Sequence, residues 1–133
     1  MSSPNAARVA AYTSASTHGG VAAADPHKLV IMLMDGAIDR IHAARGCIKR
    51  GEMGEKAQLL HRAIAIIGEL RASLDLSAGG QIAANLSELY DYMSRRLLKA
   101  MIENKVEVLD EVTKLLNDIR SAWTTIPAEA RKK

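Results

Sequence analysis

A chain of 133 residues with 48% hydrophobic side chains is long enough for one domain, and about two-thirds of its unfolded surface could be buried on folding. Aromatics make up only 3% and Phe is absent, so the core must be built from Leu, Ile, Val, Ala and Met, which suits helix-on-helix packing better than a β-sandwich. The net charge of +3 is mild and partly terminal (Arg131-Lys132-Lys133), and the remaining Arg and Lys are scattered among acids without stacking aromatics, which argues against a nucleic-acid partner.

A lone cysteine, Cys47, excludes an internal disulfide and points to a reducing compartment. The N-terminus shows no basic region followed by an apolar run, as a signal peptide would require. The longest apolar run, Leu29 to Met34, is far short of the ~20 residues of a membrane span. The expectation is a soluble, cytoplasmic protein.

Residues 1–24 are small and polar and read as a mobile tail with one apolar turn at Val9 and Tyr12, where a short extra helix has room. Asp25-Pro26 is a helix start: Asp caps, and Pro is favoured at the first helical position. Four helical segments are predicted, over about 26–50, 55–75, 80–104 and 105–126, with stops at Gly51 and Gly54, at Ser77-Ala78-Gly79-Gly80, and at Pro127. Short connections between helices of ~20 residues force sequential, antiparallel neighbours. The predicted fold is therefore all-α, an antiparallel up-down four-helix bundle over 25–127, with tails at 1–24 and 128–133.

The first helix has a complete core stripe in Val30, Leu33, Met34, Ala37, Ile41, Ala44 and Ile48. Ile31 and Ile38 fall ~100° from the centre of that stripe, and Met32 lies on the far side, so this helix is expected to bury a second surface against something else. In the third helix Ile82, Leu86, Leu89, Tyr90, Met93, Leu97 and Met101 form the stripe. Asn85, Leu89, Tyr92 and Arg96 run along one flank at steps of four, three and four. Asn and Tyr beside Leu offer a docked chain both apolar area and hydrogen bonds, although boundary residues of a plain bundle have the same pattern. The fourth helix is plainer: Val108, Leu109, Val112, Leu115, Leu116, Ile119, Trp123 and Ile126 make a single stripe, with Asp110, Lys114, Asn117 and Asp118 outside it.

Catalytic and metal chemistry is hard to place. A di-iron bundle needs paired Glu-x-x-His motifs, and the nearest approach is Asp39-Arg40-Ile41-His42. Structural zinc lacks a second Cys. No Gly-rich strand-to-helix loop is present to cradle phosphate, and His18, His27, His42 and His61 have no Ser or Cys at a spacing that suggests a triad. Arg95-Arg96 is the one element that a small bundle enzyme acting on an anionic metabolite could use. No catalytic residue, metal or cofactor is expected.

Three stretches carry a family resemblance. Ser73-Leu74-Asp75, Gly79-Gly80, Ile82-Ala83 and the block Asn85-Leu86-Ser87-Glu88-Leu89-Tyr90-Asp91-Tyr92-Met93 closely resemble the signature of FliS, the flagellin-specific export chaperone family. Pro26 to Ala37 resembles that family's first-helix motif, and Glu111 to Trp123 its fourth helix. Met34 departs from the pattern, which commonly has an aromatic there; Met adapts to such sites. The resemblance implies a cytosolic bundle that binds the C-terminal segment of flagellin in apolar grooves, prevents early polymerisation and delivers the client to the flagellar type III export apparatus. It also implies a tail, here with Val9 and Tyr12, that covers part of the groove when the client is absent. The expected partner-binding residues are Tyr12, Ile31, Ile38, Asn85, Leu89, Tyr92 and Arg96. An export-apparatus component and a co-chaperone or regulator are further expected partners. The alternative is a self-associating helical adaptor, at its simplest a weak homodimer.

Overall fold

A computed structural model describes residues 25–125 as four helices: α1 (Pro26–Arg50), α2 (Met53–Ala72), α3 (Leu76–Glu103) and α4 (Val106–Thr124). Tyr12, Ile126 and both expected tails lie outside the described residues.

Each boundary has a local cause. The Asp25 carboxylate accepts the backbone N–H groups of His27 at 3.0 Å and Lys28 at 3.4 Å, and Pro26 opens α1. Gly51 closes it with φ of 75°. The N–H of Gly51 donates to the Ile48 carbonyl and that of Glu52 to Cys47, the paired bonds of a left-handed C-terminal cap. α2 starts two residues earlier than expected, with Gly54 inside its first turn. A single glycine costs a helix only about 1 kcal/mol in backbone entropy, so Gly54 does not stop it.

α3 also starts early. Asp75 accepts the N–H of Ala78 at 3.0 Å and the hydroxyl of Ser77 at 2.9 Å, which holds one turn at the residues expected to be loop. Gly80 then breaks the helix with φ 55° and ψ −134°, and a Cβ on Gly79 would lie 2.6 Å from that of Ala83. Positive φ at one glycine and a close approach at the other explain the Gly79-Gly80 pair. Asn104, at φ 57°, ends α3.

Polar contacts across helices fix their order and direction. Arg45 pairs with Asp110 at 2.8 Å and Asp35 with Arg120, so α1 and α4 run antiparallel. Arg71 reaches Ser87 and Asp91 at one end of the α2–α3 pair, and Lys56 reaches Met101 and Asn104 at the other. The result is the expected antiparallel up-down four-helix bundle, in which α1 and α3 each pack on α2 and α4. Its centre is filled by Met34, Ile41, Leu60, Ile66, Ile67, Leu70, Met93, Leu97, Leu109 and Leu116, all fully buried. Leu and Ile at such positions stabilise the fold by about 1.5–3 kcal/mol each.

Lys56 is a buried cation, only 6% exposed. Its ammonium donates to the Met101 carbonyl and the Asn104 side-chain oxygen, both at 2.7 Å. It thus caps the C-terminus of α3, where helix carbonyls favour positive charge.

Two expectations about burial are corrected here. Ile38 is 8% exposed and belongs to the core, and Ile31 is half-buried. On a helix wheel both fall between Asp35 and Arg45, the two α1 residues paired to α4, so α4 covers the surplus apolar flank of α1. A bundle helix has two neighbours and buries more than one stripe. Ile82, expected in the core of α3, is 74% exposed. It lies two residues after the Gly80 break, at the start of the continuous helix, while Ala100, five full turns on at the same angle, is fully buried.

Candidate functional site

The flank of α3 that faces α4 carries an open depression of about 480 Å³ lined by Asn85, Glu88, Leu89, Tyr92 and Arg95. All five come from one helix at steps of three and four, so the helix itself positions them. Leu89 and Tyr92 are half-buried and Asn85 is exposed. Gln81, one turn earlier, donates to the Asn85 side-chain oxygen at 2.8 Å.

The α4 border of the depression is a polar clamp. The Tyr92 hydroxyl donates to one oxygen of Glu111 at 2.5 Å, and Arg96 donates to the other at 2.9 Å. The Arg96 guanidinium also lies 5.9 Å from the Tyr92 ring centre, within cation–π range. The Tyr92 hydroxyl bond, with help from Arg96, holds the Glu111 carboxyl below the usual carboxylate range. The same bond, reinforced by desolvation, raises the Tyr92 phenol. Tyr92 therefore offers its ring to the depression while its hydroxyl joins α3 to α4.

Of the seven residues expected to form the site, the structure brings Asn85, Leu89 and Tyr92 together. Arg96 is adjacent but does not line the depression; it braces Tyr92 and Glu111. Ile31 and Ile38 lie on the α1–α4 seam, and Tyr12 is outside the described residues. Sequence reasoning missed Glu88 and Arg95. Each precedes a flank residue, Leu89 and Arg96, and they repeat at a step of seven, which is the signal that could have found them.

The lining offers apolar area, a side-chain amide, a phenol ring and one charge of each sign. Among the described residues one group of metal-ligand types converges, Cys47, Glu52 and Glu55, with donor atoms within 4.8 Å of one another. Arg50 already occupies it: the guanidinium gives two bonds to Glu52 at 3.1 and 3.0 Å and approaches the Cys47 sulfur at 3.8 Å. Burial and then the Glu55 charge push the Cys47 thiol up, away from the thiolate that a nucleophile or metal ligand needs. His42 and His61 are exposed. His27 is buried against Trp123, with ring centres 5.0 Å apart and planes within 9°. Trp123 Nε1 donates to the His27 carbonyl at 3.0 Å. No described helix is long and apolar enough to cross a membrane.

Fold and site together define a four-helix bundle with an amphipathic depression along one long helix. The family model described as Flagellar protein FliS matches residues 8–130, and the chain belongs to the FliS family. It is 44% identical over 126 residues to the flagellar secretion chaperone FliS of Salmonella typhimurium, covering 94% of this chain and 93% of that protein. It is 43% identical over 115 residues to flagellar secretion chaperone FliSB of Pseudomonas aeruginosa, covering 86% and 91%. The flagellar secretion chaperone FliS of Vibrio cholerae is 40% identical over 119 residues, covering 90% and 88%.

Proposed function

We propose that this chain is a cytoplasmic flagellar secretion chaperone that holds the C-terminal segment of flagellin until export. The client segment, disordered when free, folds into helical pieces against the bundle, with one piece in the α3 depression. Its apolar faces are then kept from other flagellin molecules, which prevents early polymerisation, and the complex is passed to the export apparatus. Such a task needs affinity and release and no covalent step, so the chain works as a binding protein and not as an enzyme. Ordering a disordered client limits affinity per unit area, which suits a temporary complex.

The observation that carries the reading is a coincidence of position. The depression is lined by Asn85, Leu89 and Tyr92, the residues that both the family-like block and the helix flank single out. Exposed Ile82 extends the same flank towards the start of α3. Tyr12 and Val9, outside the described residues, complete the proposal as an apolar plug over the empty groove. A co-chaperone or regulator would use surface away from it. Exposed Leu98 and Ile102, one turn apart near the other end of α3, favour self-association as the second reading.

Calorimetry with a flagellin C-terminal peptide is the test. Saturable binding at micromolar concentration is expected, and its absence sinks the proposal. A stable dimer in sedimentation runs, unchanged by added peptide, would favour the second reading.

A further inference from the structure

We infer that the outer face of α3 near its C-terminus is a second docking surface, which receives an acidic helical segment of a protein other than the client. The inference goes beyond the chaperone reading and concerns a face that reading leaves unused.

Leu98 and Ile102 are 45% and 71% exposed and stand one turn apart, ~6 Å along the helix. Both lie outside the depression, whose lining ends at Arg95. On a helix wheel the middle of the pair is ~100° round α3 from the middle of that lining. Met53, 36% exposed, stands at the same end of the neighbouring helix, one turn before the Lys56 that reaches Met101 and Asn104. Large apolar side chains are thus left open together at one end of the α2–α3 pair. Such a group differs from the single exposed apolar residues that any surface carries.

The charges beside this group define what covers it. Arg95 and Lys99, also one turn apart, form a row alongside Leu98 and Ile102. Lys99 is exposed and forms no ion pair among the described residues. Arg95 at 3.1 Å and Arg71 at 3.4 Å share one carboxylate, Asp91. Three cations against one acid leave a surplus of two positive charges on this flank. Lys105 adds nothing, being paired with Glu103 at 3.2 Å. A partner helix with two apolar residues one turn apart and two carboxylates in the adjoining row matches both rows. A second copy of this chain fits poorly: antiparallel pairing of Leu98 with Ile102 about a twofold axis sets Lys99 against its own equivalent.

The test uses the full chain and two synthetic helical peptides with Leu and Ile one turn apart, one carrying two Glu and the other two Gln in the adjoining row. The Glu peptide should bind at least about fivefold more tightly, the scale of two exposed charge pairs. Ile102→Asp should abolish binding of both while leaving a flagellin C-terminal peptide within about twofold, and Lys99→Glu should erase the advantage of the Glu peptide. Circular dichroism checks that these surface variants fold; where one does not, Ile102→Ser or Lys99→Gln replaces it, with the same direction of effect. The Glu peptide should also bind the chain already saturated with flagellin peptide. Equal affinities, no binding of either peptide, or binding that survives Ile102→Asp overturns the surface. Displacement by the flagellin peptide overturns it as well, since the face would then belong to the client. Binding to anionic lipid vesicles in place of the Glu peptide, or a dimer in sedimentation that Ile102→Asp dissolves, assigns the face to a membrane or to a second copy and overturns the acidic partner. Glu-peptide binding without flagellin-peptide binding would remove the client and leave this surface.

Discussion

The α4-facing flanks of α1 and α3 both carry large side chains beyond the central stripe, yet the bundle treats them differently. On α1, the flank that carries buried Ile38 and half-buried Ile31 is tied to α4 at two points, by Arg45–Asp110 and Asp35–Arg120, with Trp123 stacked on His27 beyond them. On α3, α4 is tied at one point, where Glu111 takes both Tyr92 and Arg96. Beyond that clamp, Asn85 and Ile82 are exposed, and Leu89, though packed against the core on one side, still lines the open depression. Apolar area measures how much surface needs cover. The polar residues bordering it decide whether the protein's own helices supply that cover.

Placing a charge on each flank breaks the comparison most sharply. Ile38→Asp puts a carboxylate into the closed seam, and a stability loss of about 3–5 kcal/mol is expected in urea unfolding. Ile82→Asp should alter stability by no more than about 0.5 kcal/mol, because the site is open, while weakening the flagellin peptide in calorimetry. Equal stability losses at the two positions would show that the flanks do not differ. The next largest effect belongs to Lys56→Met. It keeps the apolar stem but leaves the Met101 carbonyl and the Asn104 side chain without their ammonium, for a loss of about 2 kcal/mol in the same assay and little change in peptide binding.

The contrast also shows how far the sequence could be read. The four helices, the antiparallel order and the Asp25 and Gly51 boundaries follow from local rules that the neighbours leave intact. The line Asn85, Leu89, Tyr92 was legible because a flank repeats at helical spacing whether or not it is covered. Ile38 was misread because nothing in the α1 pattern shows that Arg45 and Asp35 find partners 65 and 85 residues away. Ile82 was misread because helical spacing gives the angle of a stripe and does not show which of its members the neighbouring helices cover: Ala100, five full turns on at the same angle, is fully buried. Lys56 and the bracing role of Arg96 depend on acceptors from other helices, and no spacing rule reaches those.

The clamp supplies the smaller tests. Tyr92→Ala removes a wall of the depression and one of the two groups bonded to Glu111. Flagellin peptide should bind about tenfold more weakly, as for a half-buried aromatic anchor. The melting temperature should fall by no more than about a few degrees, since Arg96 still holds Glu111. A large thermal loss with unchanged affinity would assign Tyr92 to structure alone.

Titration of Glu111 gives the smallest effect. Its carboxyl is held below the ordinary range by the Tyr92 hydroxyl first and by Arg96. A carboxyl depressed in the folded state stabilises fully above its unfolded value near 4.3 and loses that contribution as pH falls through the lower folded value. The raised Tyr92 phenol works in the opposite direction: its contribution is complete below about pH 10 and fades as pH rises through the folded value. Between these limits the clamp should be insensitive to pH. Glu111→Gln keeps an acceptor for Tyr92 but cannot ionise, so melting curves from pH 7 to pH 3 should fall slightly less steeply for the variant than for the wild type. Parallel curves would mean that Glu111 gains nothing from its two donors, and the clamp would then not explain why α4 is fixed to this end of the depression.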